Sequence, residues 1–149
     1  MPEPWLTGIN HVGVTVGDLD EALAFYKDVF GLEPMLVTEA SGADVAATFQ
    51  VPGADFRVAF LPVGASVWEL VEYAAPRRTL DPRHDDVAGM HVCFEVSDMD
   101  AALAHLARYG VAVPDAPLEI TDGPTAGARI AYVRDPYGAQ IELLQPPAA

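Results

Sequence analysis

Four residues in this sequence have the side-chain chemistry to hold a divalent cation together: His11, Glu69, His91 and Glu142. Two neutral imidazoles and two carboxylates balance a doubly charged ion, and nitrogen and oxygen donors of this kind suit Zn, Ni, Co, Mn or Fe. Six-coordinate geometry would leave two positions for water, or for a substrate offering two adjacent oxygens. The spacing of the four along the chain is no metal signature in itself. A lone Glu in mid-strand usually faces solvent, and a lone His is more often a structural hydrogen-bonding residue than a ligand. These four are set apart by lying at duplicated positions.

The duplication is visible without gaps. Residues 9–23 and 89–103 align at an offset of 80, which sets His11 on His91, Asp18 on Asp98, Asp20 on Asp100 and Leu23 on Leu103. Further along, Arg57-Val-Ala-Phe60 aligns with Arg129-Ile-Ala-Tyr132, and Trp68-Glu-Leu-Val71 with Ile141-Glu-Leu-Leu144. Both matches occur in the same order in each half, as an internal repeat requires.

The elements that must position these residues follow from local pattern. Residues 9–16 and 90–96 alternate as strands do. Asp18 reads as the N-cap of a helix over 19–30 with apolar residues Leu19, Ala22, Leu23, Tyr26 and Phe30, and Gly31 as its stop. The second half repeats this with a helix over 99–109 and Gly110. Strands are predicted near 34–40, 45–51, 56–62 and 67–73, then near 111–113, 117–121, 128–133 and 139–144. Asp135-Pro-Tyr-Gly138 reads as a turn. Because strand residues alternate between faces, Val12, Val14 and Val16 oppose His11, Gly13 and Thr15. Trp68 and Leu70 likewise oppose Glu69, and Ile141 and Leu143 oppose Glu142. The apolar faces must pack on the helices, which leaves every His and Glu on the other face. The expected fold is α+β: two duplicated βαβββ modules forming a curved mixed sheet around a central cavity. One domain spans 1–149, with module one at about 7–73, a linker at 74–88 and module two at about 89–146.

Composition narrows the partners. The chain has 149 residues, one domain's worth, and is 51% hydrophobic, which argues against disorder. Its 8 Lys and Arg against 22 Asp and Glu give a net charge of −14, which repels nucleic acid and anionic membranes. No apolar run is long enough to span a bilayer. The N-terminus, Met-Pro-Glu-Pro-Trp, lacks the basic and apolar regions of a signal peptide, so the expectation is a cytoplasmic protein. Cys93 is the single cysteine, which excludes an internal disulfide and a Cys-rich zinc site.

These segments resemble the vicinal oxygen chelate superfamily, which includes glyoxalase I, methylmalonyl-CoA epimerase, extradiol dioxygenases and bleomycin-resistance proteins. The resemblance rests on His11-Val-Gly-Val-Thr-Val, on Asp18 through Glu33, on Gly89-Met-His-Val-Cys-Phe-Glu-Val-Ser-Asp-Met-Asp100, and on Arg134-Asp-Pro-Tyr-Gly-Ala-Gln-Ile-Glu-Leu143. It covers nearly the whole chain. It implies a metal on His11, Glu69, His91 and Glu142, the set that glyoxalase I carries. The segment around His91 is closest to the epimerases, whereas the turn at 135–138 is closer to glyoxalase-type members. Extradiol dioxygenases use three of the four ligands, and bleomycin-binding members lack the set.

That resemblance implies proton abstraction next to a carbonyl. The metal polarises the carbonyl of a small chelated substrate, and a ligating Glu that detaches, Glu142 or Glu69, acts as the base. Returning the proton to the neighbouring carbon isomerises, and returning it to the opposite face epimerises. Hemithioacetals of 2-oxoaldehydes and thioesters of the methylmalonyl type are candidate substrates. A homodimer is expected, as such proteins often pair. The other readings are an extradiol-type dioxygenase, a metal-free ligand-binding or drug-resistance protein, and a metal-bound structural domain. Specificity would reside in loops such as 39–55, 74–88 and 122–128.

The remaining chemistry-bearing residues have ordinary readings beside functional ones. Arg57 and Arg129, one strand before each Glu, are either surface ion pairs or anchors for a substrate carboxylate or phosphate. Cys93 shares the His91 face, and a buried inert thiol is expected there rather than a nucleophile. His84 and His105 read as solvated. Trp5, Trp68, Tyr26 and Phe30 read as core or dimer contacts.

Overall fold

A computed structural model of the chain describes residues 8–75, 85, 87 and 89–148. The chain divides into two compact units, Met1–Arg78 and Thr79–Ala149, and each contains one copy of the repeat. Most of the expected linker, His84 included, and Trp5 lie outside the described residues.

The first unit runs β1 (Val12–Thr15), α1 (Leu19–Phe30), β2 (Leu36–Ser41), α2 (Ala43–Phe49), β3 (Asp55–Val63) and β4 (Ser66–Tyr73). Its sheet has the order β1-β4-β3-β2, with β1 parallel to β4 and the other neighbours antiparallel. The second unit runs β5 (Val92–Glu95), α3 (Met99–Arg108), β6 (Leu118–Glu119), β7 (Arg129–Arg134) and β8 (Gln140–Gln145). Its order, β5-β8-β7-β6, repeats the same pairing with β5 parallel to β8. The α+β class and the duplicated modules are therefore as expected.

The helices start and stop where the sequence places them. Asp18 accepts a hydrogen bond from the Glu21 N–H at 2.9 Å, and Asp98 one from the Ala101 N–H at 2.9 Å. Each satisfies a donor that a helix start leaves open. Gly31 closes α1 with φ +68°, its N–H donating to the Lys27 carbonyl, a left-handed turn that glycine adopts without strain. Along α1, Leu19, Ala22, Tyr26 and Val29 are buried, and so are Ala59, Leu61, Trp68 and Leu70 of the sheet. The Tyr26 and Trp68 rings lie 6.1 Å apart. In the second unit Met99, Leu103 and Leu106 are buried, with Phe94, Ala131, Val133, Ile141 and Leu143 on the sheet.

Two expected strands are absent. Of residues 45–51, the first five belong to α2 and none to a strand. Ala43, Ala46 and Ala47 favour a helix, Val45 and Phe49 lie four residues apart on one helical face, and Gln50 ends the helix in a left-handed conformation. This helix packs on the face of its sheet that carries Glu69, unlike α1: Val45 joins Ala40, Phe56, Val58, Phe60, Val71 and Tyr73 in one apolar cluster, and the Phe49 and Phe56 rings are 4.8 Å apart. Residues 111–113 are not a strand either, because the Val111 N–H is drawn back to the Leu106 carbonyl at the end of α3.

Candidate metal centre

In each unit a histidine stands immediately before the first strand, and a glutamate sits on the parallel strand beside it. Glu69 is in register with Gly13 on β1, and Glu142 with Cys93 on β5. Two residues along a strand return to the same face, so each His shares a face with its Glu. His11 Nε2 lies 3.7 Å from Glu69 Oε2, and His91 Nε2 lies 3.1 Å from Glu142 Oε2. The imidazoles are 42% exposed in both units, the carboxylates 19% and 15%. The turn at 135–138 sets the strand that carries Glu142. Asp135 is buried, and its side chain accepts from the Tyr137 and Ala139 N–H groups at 2.9 and 2.8 Å.

These pairs suit metal ligation. Adjacent ligands on an ion bound at roughly 2.1 Å stand about 3 Å apart, close to the 3.1 Å of the second pair and somewhat under the 3.7 Å of the first. His11 Nδ1 lies 2.8 Å from Asn10 Oδ1. As that oxygen only accepts, a neutral His11 carries its proton on Nδ1 and leaves the Nε2 lone pair facing Glu69. Among the described residues no three or more His, Cys, Asp or Glu side chains gather closely enough to hold an ion. Each unit holds one imidazole–carboxylate pair.

The surroundings of the two carboxylates differ. Across β4 from Gly13, the residue opposite Glu69 is Phe60; across β8 from Cys93, the residue opposite Glu142 is Tyr132. A Cβ at Gly13 would collide with the Glu69 carboxylate oxygen, so that oxygen lies over the bare backbone of β1. Cys93 and Tyr132 each share a hydrogen bond with Glu142. Partial burial pushes the Tyr132 phenol up, as do the hydrogen bond and charge of Glu142. The ring edges meet the imidazoles in both units, Phe60 at 6.2 Å from His11 and Tyr132 at 5.4 Å from His91. Gln140, buried on the Glu142 face, donates to the Met90 carbonyl just ahead of His91.

Asn10, Gly13, Tyr132 and Gln140 were not singled out in the sequence. The signal for Tyr132 was the one aromatic difference, Phe60 against Tyr132, in the matched Arg57 and Arg129 segments. Cys93 is exposed, not buried as expected. Its thiol is nonetheless pushed up, by desolvation and then by the neighbouring carboxylate, so it keeps its proton and is a poor nucleophile.

The two arginines face away from these pairs. Arg57 donates to Asp20 on α1 at 2.7 and 3.2 Å and to Glu72 at 3.4 Å. Arg129 donates to Asp100 on α3 at 2.6 and 3.0 Å. The ion-pair reading is thus the one realised. A surface hollow of about 440 Å³, lined by Glu39, Asp55, Phe56, Arg57, Glu72 and Ala74, contains neither His11 nor Glu69; its Glu39, Arg57 and Glu72 belong to the α1 face. His105 is half-buried, 3.3 Å from the Arg108 guanidinium, with its ring 5.0 Å from that of Tyr109 and tilted 48° to it. No helix among the described residues is long and apolar enough to cross a membrane.

Comparison with known proteins shows the family. Residues 8–143 match the profile of the Glyoxalase/Bleomycin resistance protein/Dioxygenase superfamily. The sequence is 43% identical over 152 residues to a 2-epi-5-epi-valiolone epimerase of Actinomyces sp., covering 97% of this chain and 82% of that protein. In structure it is similar to a glyoxalase family protein from Bacillus cereus, with a TM-score of 0.80, 21% identity and 99% of each chain covered. It is also similar to the fosfomycin resistance protein FosX from Listeria monocytogenes, solved with Mn(II) and a sulfate ion, with a TM-score of 0.63, 18% identity, and 94% and 93% of the two chains covered.

Proposed function

This chain belongs to the Glyoxalase/Bleomycin resistance protein/Dioxygenase superfamily, and we propose that it is a metal-dependent epimerase acting at the carbon next to the carbonyl of a small hydroxylated ketone. The observation that carries the reading is the repeated imidazole–carboxylate pair, His11 with Glu69 and His91 with Glu142. The four side chains would together hold one divalent ion. The similarity to an epimerase over nearly the full chain favours inversion over isomerisation, and a ketone over a thioester, because the name of that relative's substrate denotes a ketone with numbered stereocentres.

A bound divalent ion would draw electron density from the carbonyl oxygen and so acidify the neighbouring C–H. One of the two carboxylates, Glu69 or Glu142, takes that proton. The C–H electron pair moves toward the carbonyl oxygen, and a proton entering on the opposite face of the same carbon completes the inversion. Both carboxylates are less than one-fifth exposed, which keeps a base shielded from bulk water while leaving it reachable. The imidazoles hold their Nε2 atoms toward the carboxylates. His11 is set for this by Asn10.

The test uses the purified full chain loaded in turn with Zn, Ni, Co or Mn and given 2-epi-5-epi-valiolone in D₂O. Proton NMR is expected to report loss of the signal at the carbon beside the carbonyl and the appearance of a second epimer, both absent in His91→Ala. Turnover with dioxygen uptake and no exchange would replace this reading with ring or side-chain oxygenation.

A further inference from the structure

A carboxamide stands beside each histidine, at a different place in each half. In the first unit it is Asn10, the residue before His11, with its Oδ1 2.8 Å from His11 Nδ1. The place beside that histidine on β4 belongs to Val67: Val12 is in register with Trp68, so His11, one residue earlier, falls next to Val67. In the second unit the two places are exchanged. The residue before His91 is Met90, exposed and with only a weakly accepting thioether. The residue beside His91 on β8 is Gln140, because Val92 is in register with Ile141. Paired strands run about 4.8 Å apart, and alternation puts His91 and Gln140 on the face that carries Cys93 and Glu142. Gln140 is 3% exposed. Its Nε2 donates to the Met90 carbonyl at 3.3 Å, which turns the other end of the amide away from that carbonyl. Among the described residues the Oε1 atom is buried and accepts no hydrogen bond, a state that folded proteins rarely leave unanswered. Arg134, opposite Gln140 on β7, is turned to the Gly138 carbonyl at 2.9 Å.

We infer that Gln140 is the positioning residue of His91: its buried Oε1 accepts the Nδ1–H of the imidazole when Nε2 holds a metal ion, as Asn10 serves His11 from the preceding position. The inference uses the second unit alone, and rests on the reading of His91 as a ligand. An imidazole that ligates through Nε2 must carry its proton on Nδ1, and an acceptor at that proton fixes both the tautomer and the plane of the ring. In the structure His91 Nε2 faces Glu142 at 3.1 Å, so the ring already presents that nitrogen to the carboxylate. The Gln140 amide is anchored at its other end by the Met90 carbonyl, on the residue that leads into His91. Its oxygen is thereby tied to the same short segment that it would orient.

The test needs no substrate. The full chain, with its histidines labelled with nitrogen-15 and loaded with Zn(II), is followed by proton–nitrogen NMR. The His91 Nδ1–H should give a sharp, slowly exchanging signal. Gln140→Val, which copies Val67 of the first unit, should broaden or erase that signal and leave the one from His11 in place. Calorimetry with Co(II) alone should show binding weakened about 10-fold in Gln140→Val, the scale seen when the hydrogen-bonding support of a ligand is removed. Adding Met90→Asn to Gln140→Val rebuilds the arrangement of the first unit, and should restore both the signal and most of the affinity. Thermal melts confirm folding, and Gln140→Met, closer in size, replaces Gln140→Val if that variant does not fold. An unchanged His91 signal and unchanged Co(II) affinity in the folded variant overturn the inference and assign the buried oxygen to a water molecule. Affinity that falls while the His91 signal persists, and that Met90→Asn does not restore, also overturns it, since Gln140 would then act by packing. Wild-type protein that takes up neither Zn(II) nor Co(II) overturns the metal reading itself, and the role of Gln140 with it.

Discussion

The two units of this chain set the same imidazole and carboxylate on the same pair of parallel strands, and then surround them with different residues. In the first, the face that carries Glu69 is partly covered: α2 lays Val45 and Phe49 against Phe56 and its neighbours, and the carboxylate lies between Gly13 and Phe60. Among its described residues the second has no matching helix, the carboxylate lies between Cys93 and Tyr132, and Gln140 ties the strand to the residue before His91. Duplication preserved the imidazole, the carboxylate and the register that pairs them, and let the flanking residues diverge. Register is set by the strands and local environment by the flanking side chains, so the same pair can stand in unlike surroundings in the two halves.

The sharpest way to break that comparison is to remove one histidine at a time. If both pairs serve a single ion, His11→Ala and His91→Ala should each abolish stoichiometric binding, weakening it by about 100-fold or more, since losing a ligand removes a large part of the site's affinity. His105→Ala, whose ring engages Arg108 and Tyr109, should leave binding intact. Elemental analysis after dialysis against Zn or Co reads this directly. An ion retained in His11→Ala but lost in His91→Ala would mean that the second unit binds alone, and the halves would be unequal in ligation as well as in surroundings.

Core substitutions sharpen the same comparison from the side of stability. Leu70 and Leu143 are matched by the repeat, each next to its Glu on the opposite face, and are 0% and 1% exposed. Leu→Ala at a fully buried site costs about 2–5 kcal/mol, the spread reflecting how well the site collapses. Both variants should fall in that range and within about 1 kcal/mol of each other if the helix-facing cores are equivalent. Urea unfolding of the two variants measures this. A much larger cost at Leu70 would show that α2, on the other face of its sheet, makes the first unit less able to relax.

What the sequence disclosed and what it concealed follow the same line. The helix caps Asp18 and Asp98 and the stop at Gly31 were legible because each is a short-range signal that tertiary packing does not alter. His11, Glu69, His91 and Glu142 were legible because the repeat singled them out from other polar strand residues. The helix at 43–49 was not, because seven residues with two apolar positions fit a short strand as well as two turns of helix, and packing against Phe56 decides between them. Tyr132 was concealed for a different reason. Aligning the halves rewards sameness, and Tyr132 differs from Phe60 by a hydroxyl that only the register sets opposite Glu142. Cys93 was taken for buried because it alternates correctly with His91, and the pattern alone does not say how much covers that face.

The smallest expected effect concerns the ion pairs that fasten each helix start to its sheet. Arg57 beside Asp20, and Arg129 beside Asp100, hold those carboxyls below the ordinary range, first through the hydrogen bond. A carboxyl lowered in the folded state stabilises the fold above its ordinary value of about 4, and that contribution is lost as pH falls through the folded value. All four groups lie at the surface, so the effect is small and salt-sensitive. The units differ in one respect. Opposite Arg57 stands Glu72, a second carboxylate at 3.4 Å. Opposite Arg129 stands Gln145, whose side-chain oxygen is engaged by the Met99 N–H at 2.8 Å. Glu39 and Glu119 stand across the other neighbouring strand from Arg57 and Arg129, so Asp20→Asn leaves Arg57 with Glu72 and Glu39 across the sheet, whereas Asp100→Asn leaves Arg129 with Glu119. Asp100→Asn should lower the melting temperature more than Asp20→Asn at pH 7. Both differences from wild type should hold steady down to about pH 5, then close below about pH 4 and in 1 M NaCl. Equal shifts in the two variants would show that Glu72 gives Arg57 no effective second anchor, and shifts that persist at pH 3 would show that the asparagines act through something other than lost charge.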